Sequence, residues 1–190
     1  MGAYAIGVDV GGTKIAAGLI DLSGRRLVDR RSLATPRAEG GRAVLDAAVT
    51  LAQGLRDEAR RAGREAVGIG VSICELVDLA GAVRSGYAVD WVGLPAQARF
   101  AGLAPAVIEA DVRAHALAEA EWGAGRGLAT QAFISVGTGI SSCLVLDGIP
   151  YAGARGNALV LSTQASVVPC PRCGNTHWPA LEEVASGPAL

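Results

Sequence analysis

A glycine turn near the start of the chain combines residue types that bind phosphate. Apolar runs at residues 3–8 and 15–20 flank the turn and predict two adjoining strands. Bare glycine N–H groups admit oxyanions, a hydroxyl adds a donor, and a carboxylate at the strand end faces a nucleotide's magnesium ion. The turn also holds the only lysine among 17 lysine and arginine residues. An ordinary β-hairpin remains the alternative. The residues are Asp9, Gly11, Gly12, Thr13 and Lys14.

A second turn of the same kind occurs later in the chain. It consists of Gly137, Thr138 and Gly139, between apolar runs at residues 131–136 and 140–146 that predict strands. Two such turns suggest two halves that hold one polyphosphate.

A carboxylate lies between the two turns, at the end of a predicted strand over residues 106–110. Asp111 begins a predicted helix that ends at Trp122. A carboxylate in this place suits a base that takes the proton of a substrate hydroxyl. The alternative is a helix N-cap, although the capping-box partner is absent because Ala114 stands at the third helical position.

Six blocks of sequence, in this order, resemble the ROK family of sugar kinases and related repressors. The resemblance implies the actin-like ATPase fold (α/β, ribonuclease H-like, two domains) and phosphoryl transfer from ATP, with Mg²⁺, to a hydroxyl of a small-molecule sugar. It also implies Asp111 as the catalytic base, and a homo-oligomer for the full-length protein. We expect further substrate contacts at Glu75, Asn157 and Glu182. The blocks lie at residues 9–14, 109–119, 137–140, 151–156, 170–174 and 181–187.

Several positions depart from the family pattern. Ala110 replaces an Asn, Val160 a Glu and Thr163 a His, and Cys74-Glu75 replaces Pro-Gly. Each lost partner of a buried hydroxyl removes about 1 kcal/mol or more. Glucose should therefore bind poorly, and we expect a different polyol, of which a C7-cyclitol from secondary metabolism is one candidate.

A C-x-x-C pair forms the other candidate site. Cys170 and Cys173 are followed by His177. The resembling kinases hold a structural zinc with one histidine and three cysteines, but here the family's histidine falls on Thr163 and its last cysteine near Ala180. The three residues are one ligand short of a closed tetrahedral site. Two interpretations stay open, a Zn²⁺ site or a reduced cysteine pair in a loop.

Composition indicates a soluble, cytoplasmic protein. The chain is 51% hydrophobic and 18% charged, with a formal net charge of −1, so no charge excess attracts nucleic acid or an anionic membrane. We find no targeting segment and no apolar run of about 18 residues. Only eight residues precede Asp9 and the charge is not basic, so we do not expect a repressor, which would carry a DNA-binding helix-turn-helix ahead of the phosphate turn.

Strand and helix signals predict a two-domain α/β organisation. A third strand over residues 26–33 precedes a long helix from residue 41 to about 63, a strand over 66–73 and an irregular segment over 87–103. We predict domains at residues 1–111 and 112–190. The second is expected to be incomplete, since family members run to roughly 300 residues. A natural fragment, an interrupted gene and an engineered fragment all fit this length.

Two function classes other than a kinase are suggested by parts of the sequence. A protein that keeps the fold but binds without catalysis fits the altered sugar contacts. A nicotinamide enzyme is suggested by Gly68-Ile69-Gly70, but Ile73 stands where the third glycine of that fingerprint is needed, so an ordinary strand is expected.

Overall fold

The structure, a computed structural model, describes residues 3–158 and 164–189. The chain divides into two compact units, Met1–Asp111 and Val112–Leu190. Both units combine strands with helices, which confirms the predicted α/β class. The substitutions at Val160 and Thr163 lie outside the described residues.

The first unit is built on a five-stranded mixed sheet with the order β3-β2-β1-β4-β5. The first three strands form an antiparallel meander, and the last two continue the sheet in parallel with β1. The strand predictions for this unit are confirmed. The strands are β1 (Tyr4–Val10), β2 (Lys14–Asp21), β3 (Arg26–Ala34), β4 (Ala66–Ile73) and β5 (Ala106–Ala110).

Helix α1 (Gly41–Arg61) packs its apolar stripe against this sheet. It follows a short 3₁₀ turn, Arg37–Glu39, and ends at Arg61; Ala62 is the C-cap, and Gly63 after it takes a positive φ of 71°. The irregular segment after β4 contains one short helix, α2 (Ala96–Ala101).

The second unit contains helix α3 (Asp111–Trp122), whose first residue is the last of the first unit, and an antiparallel three-stranded sheet. Its strands are β6 (Thr130–Val136), β7 (Ile140–Leu146) and β8 (Ile149–Pro150). A two-stranded ribbon, β9 (Val168–Pro169) with β10 (Thr176–His177), precedes helix α4 (Leu181–Ala185) and a 3₁₀ turn, Gly187–Ala189. None of the helices in the described ranges is long and apolar enough to cross a membrane.

Candidate functional site

The first glycine turn joins β1 to β2 as a hairpin. The N–H of Gly11 donates to the carbonyl of Lys14 at 3.0 Å and closes the turn. Thr35, just after β3, braces it: its hydroxyl donates to the carbonyl of Gly11 at 2.7 Å, and its N–H donates to the carbonyl of Thr13 at 3.0 Å. Thr13 and Lys14 are exposed, and in the described part of the chain Lys14 has no ion-pair partner. The turn therefore offers a fixed backbone and a cation to solvent.

Gly12 is a glycine because another segment lies directly against it. A Cβ at this position would stand 3.3 Å from the Cβ of Ala88, closer than ordinary van der Waals contact. The segment that follows β4 thus touches the glycine turn, a contact that the sequence alone did not reveal.

Asp9 is held by a residue that sequence reasoning missed. The hydroxyl of Ser72 donates to Oδ1 of Asp9 at 2.7 Å. The two residues are register partners on the parallel strands β1 and β4. The carboxylate of Asp9 is fixed yet exposed, as a Mg²⁺ ligand needs to be. In the sequence, Ser72 is only a serine near the end of a predicted strand. It points to Asp9 only once the register of the two strands is known.

Asp111 lies at the sheet edge where β4 and β5 both end. The two strands are parallel and pair Ile73 with Ala110, so the residues that follow them are close together. Burial and, after it, the negative charges of Asp111 and Glu75 together raise the pKa of the Cys74 thiol to about 11. The N–H of Cys74 donates to the carbonyl of Val10, just before the glycine turn, at 3.2 Å. Asp111 therefore shares one cluster with the glycine turn inside the first unit.

The Glu75 carboxylate is buried and bound by the protein itself. The side chain is 5% exposed. Oε2 accepts the hydroxyl of Ser85 at 2.5 Å and the N–H of Tyr87 at 3.0 Å. Oε1 accepts the N–H groups of Ala88 at 2.5 Å and Val89 at 2.7 Å. Both oxygens of this predicted substrate residue thus already have protein donors.

The second glycine turn packs against the start of α4. Gly187 donates its N–H to the carbonyl of Gly137 at 2.7 Å, and Gly137 donates to Gly139 at 2.9 Å. The Ile140 N–H lies 3.4 Å from Oε2 of Glu182. A Cβ on Gly139 would stand only 2.9 Å from that same oxygen. Glu182, predicted as a substrate contact, therefore lies beside the second predicted phosphate turn, whose Thr138 is exposed.

Arg113, in the first turn of α3, is buried and donates to the carbonyl of Gly156. This bond ties the helix that Asp111 begins to the block at residues 151–156. The neighbouring Asn157, a predicted substrate contact, is exposed.

The sulfur atoms of Cys170 and Cys173 and a ring nitrogen of His177 all lie within 4.8 Å of one another. A tight turn sets this spacing, because Gly174 donates to the carbonyl of Cys170 at 2.9 Å with a positive φ of 73°. Hydrogen bonds from the backbone of Cys173 and Arg172, and then from the Cys173 thiol, lower the pKa of Cys170. Two sulfurs and one imidazole in this space fit Zn²⁺, with a fourth position left for another ligand.

Comparison with known proteins gives consistent matches. The model of the ROK family matches residues 5–190. A glucokinase of Streptomyces coelicolor is 31% identical over 189 residues, which span 97% of this chain and 57% of the relative. An N-acetylmannosamine kinase of Salmonella typhimurium is 32% identical over 183 residues, 96% of this chain and 61% of the relative.

The solved structure of a ROK family glucokinase from Streptomyces griseus, in complex with glucose and AMPPNP, superposes with a TM-score of 0.78 at 30% identity. The match covers 98% of this chain and 58% of that one. The predicted actin-like ATPase fold is confirmed by this likeness. The chain spans somewhat more than half the length of these relatives.

Proposed function

The chain belongs to the ROK family, and from that premise we propose that it is part of an ATP-dependent kinase that phosphorylates a hydroxyl of a sugar or sugar-like polyol. The observation that carries the proposal is the cluster in the first unit. There Asp111 directly follows Ala110, the register partner of Ile73. The N–H of Cys74, the residue after Ile73, donates at 3.2 Å to the carbonyl of Val10 just before the glycine turn. A base for the acceptor hydroxyl therefore shares one cluster with the phosphate turn.

The roles of the residues follow from their chemistry. Asp111 takes the proton of the acceptor hydroxyl as that oxygen attacks the γ-phosphorus of ATP in line. The bond between the γ-phosphorus and the bridging oxygen breaks, and ADP leaves with its electron pair. The N–H groups of Gly11 and Gly12 and the ammonium of Lys14 bind phosphate oxygens. Asp9 would hold Mg²⁺, which neutralises charge on the phosphates when it is bound.

The turn Gly137–Gly139 belongs to the second unit, and we propose that it gives further N–H donors and the Thr138 hydroxyl to the phosphates. We propose that Glu182, beside this turn, and Asn157 accept hydrogen bonds from hydroxyl groups of the sugar or polyol substrate. These roles rest on residue type and position in the family pattern.

Mutation of the base tests the proposal. In the gene product, at whatever length the gene encodes, Asp111→Asn should lower phosphoryl transfer by roughly 10²-fold or more, because general-base catalysis contributes that much. Nucleotide affinity should change little, and the fold should stay stable because Asn keeps a helix-capping oxygen. The matched control is Asp147→Asn in the β7–β8 turn, which tolerates Asn at its positive φ of 49°. Activity near the parent level in Asp111→Asn would make Asp111 a helix cap only.

The acceptor is proposed to be a polyol other than glucose. Ala110 has no polar group next to the base, and both oxygens of Glu75 are taken by protein donors. In a panel of hexoses, amino sugars and C7-cyclitols, we expect kcat/KM for glucose at least tenfold below that of the best substrate, which corresponds to about 1.4 kcal/mol. Glucose as the best substrate would contradict this.

A structural zinc is proposed at Cys170, Cys173 and His177. We expect one zinc per chain in protein purified without chelators, and release of that zinc in His177→Gln, because the imidazole nitrogen is lost. His115→Gln, which changes an exposed histidine of α3, is the matched control and should keep the metal. Purified protein that contains no zinc would leave the turn as a reduced cysteine pair.

A protein that binds a polyol without phosphorylating it is the second candidate. The saturated carboxylate of Glu75 favours it, because one predicted substrate contact is already used inside the protein. Calorimetric binding of a polyol together with no detectable transfer from ATP would select this alternative.

A further inference from the structure

Three successive backbone N–H groups, from Tyr87, Ala88 and Val89, converge on the carboxylate of Glu75. The hydroxyl of Ser85 completes the set. Successive N–H groups that point to one spot form a nest, which is an anion-binding concavity of the backbone. Here the anion belongs to the chain itself, so the nest has a built-in ligand.

The nest segment also touches the glycine turn. Ala88, whose N–H binds Glu75, has its methyl group facing Gly12, where an added Cβ would stand only 3.3 Å from that methyl. The carbonyl of the neighbouring Tyr87 accepts a hydrogen bond from Arg37 at 2.8 Å. A movement of the nest segment would therefore be transmitted to Gly12 by direct contact.

The opposite side of the same segment is open. Residues 86–90 line a cavity of about 130 Å³, together with residues at the start of α1. A cavity of this size has room for several water molecules, so the Ala88 stretch is solvated on this side, although the Val89 side chain is buried in the core of the unit. The bonds to Glu75 act on the segment from the enclosed side.

From these contacts we propose that residues 85–89 form a carboxylate-binding nest, and that Glu75, as its resident ligand, is a positioning residue that holds Ala88 against Gly12. If the nest holds Ala88 beside Gly12, it keeps the glycine turn in the shape that binds phosphate, and this consequence rests on the proposed function. The nest itself and its position beside Gly12 do not depend on the proposed function.

Amide hydrogen exchange on the 190-residue chain tests the proposal. Glu75→Ala should speed exchange at residues 87–89 and at Gly12 by about tenfold or more, because these N–H groups lose a partner or a fixed neighbour. Exchange in the middle of α1, at residues 48–55, should stay at the parent rate. The matched control is Glu65→Ala, which removes an exposed carboxylate just before β4 and should change neither region.

Chemical rescue separates a nest from ordinary packing. Acetate supplies the deleted carboxylate, so about 0.1 M sodium acetate should return exchange at residues 87–89 and at Gly12 toward the parent rate in Glu75→Ala. Sodium chloride at equal ionic strength, and the bulkier trimethylacetate, should rescue less. A Glu75 that served only as packing would show no such selectivity.

Two results would overturn the proposal. Unchanged exchange at Gly12 with fast exchange at residues 87–89 would show that Glu75 braces only its own loop. Absence of acetate rescue would show that the N–H groups form no carboxylate site. If Glu75→Ala fails to fold, Glu75→Gln answers the question, because its amide keeps one accepting oxygen. It should loosen the amides bound to one oxygen and leave those bound to the other protected, whereas unchanged protection of all three amides, of Tyr87, Ala88 and Val89, would contradict the proposal.

Nucleotide binding is measured separately. Loss of rescue and loss of ATP affinity are independent outcomes, so a chain that binds no ATP at all still reports on the nest. Conversely, a confirmed nest in a chain without phosphoryl transfer would leave the proposed function contradicted and this inference intact.

Discussion

The first unit encloses a complete apolar core, whereas the second encloses very little. Among the described residues, the core cluster of the first unit contains twenty-five buried residues, and that of the second contains three, Ala116, Cys143 and Val145. Both units have sheets with helices beside them, so the difference does not come from secondary structure. It comes from how much apolar surface packs on the covered face, which in the first unit meets α1, α2 and the segment over residues 77–91, and in the second unit meets α3.

The sheet of the second unit has one covered and one open face. Helix α3 packs on the face that contains Cys143, Val145 and the partly buried Phe133. The opposite face is also apolar, although an antiparallel sheet with one solvated face normally alternates apolar with polar residues. The difference teaches that this face is more apolar than a solvated face usually is. In the described part of the chain it carries the apolar residues Ala132, Ile134, Val136, Leu144, Leu146 and Ile149 beside the polar Thr130 and Ser142, while Ile140 at its end is buried.

Truncation of a core leucine should break the first unit and leave the second little changed. We expect Leu45→Ala, which empties a position in α1 that is 1% exposed, to lower the free energy of unfolding by about 2–5 kcal/mol. Leu146→Ala at the open face, where the side chain is 39% exposed, should cost about 1 kcal/mol or less.

Urea unfolding followed by circular dichroism measures both variants of this Leu→Ala pair. Equal losses would mean that the open face is covered in solution, for example by a second copy of the chain. The comparison between the units would then hold for a single chain only.

Local sequence patterns predicted the elements of the first unit well. Short apolar runs gave β1, β2 and β4, and the apolar stripe with Gly63 at its end gave α1. Short apolar runs bounded by glycine also gave β6 and β7. Such features depend on residues close together in the chain, which is why a single sequence reveals them.

Contacts between distant segments could not be predicted. The bond from Ser72 to Asp9 depends on a parallel register, and the contact of Ala88 with Gly12 depends on the path of an irregular loop. Glu75 was expected to contact substrate, and the structure shows donors that come ten to fourteen residues later. The residues of the candidate site came from motif resemblance, and their roles stay predictions.

The two units should also differ in thiol reactivity. Cys74 in the first unit keeps its proton until about pH 11, because burial and the charges of Asp111 and Glu75 disfavour the thiolate. At pH 8 an ordinary thiol with a pKa near 8.5 has a fraction of thiolate that is roughly a hundredfold or more above that of Cys74. Metal-free protein treated with iodoacetamide at pH 8 should therefore react first within the Cys170–Cys173 pair, where the pKa of Cys170 is lowered, and slowly at Cys74.

Mass spectrometry of the alkylated peptides checks this order. The rate at Cys74 should rise with pH toward pH 11, since only the thiolate attacks, and this rise identifies the raised pKa. Rapid alkylation of Cys74 at pH 8 would show that the cluster with Asp111 opens in solution, and it would remove the observation on which the proposed function rests.

The smallest expected effect concerns the open face itself. Ile134 is 59% exposed, so Ile134→Thr should change the free energy of unfolding by only about 0.5 kcal/mol or less. It should nevertheless lower the fluorescence of a hydrophobic dye, because it breaks a contiguous apolar patch. Val67→Thr in β4 is the control, since Val67 is 55% exposed but belongs to the unit whose core is complete. If both variants lower dye binding equally, the open face binds the dye no better than scattered apolar surface residues do. A decrease confined to Ile134→Thr would locate the uncovered apolar surface on the second unit, as the difference between the two cores requires.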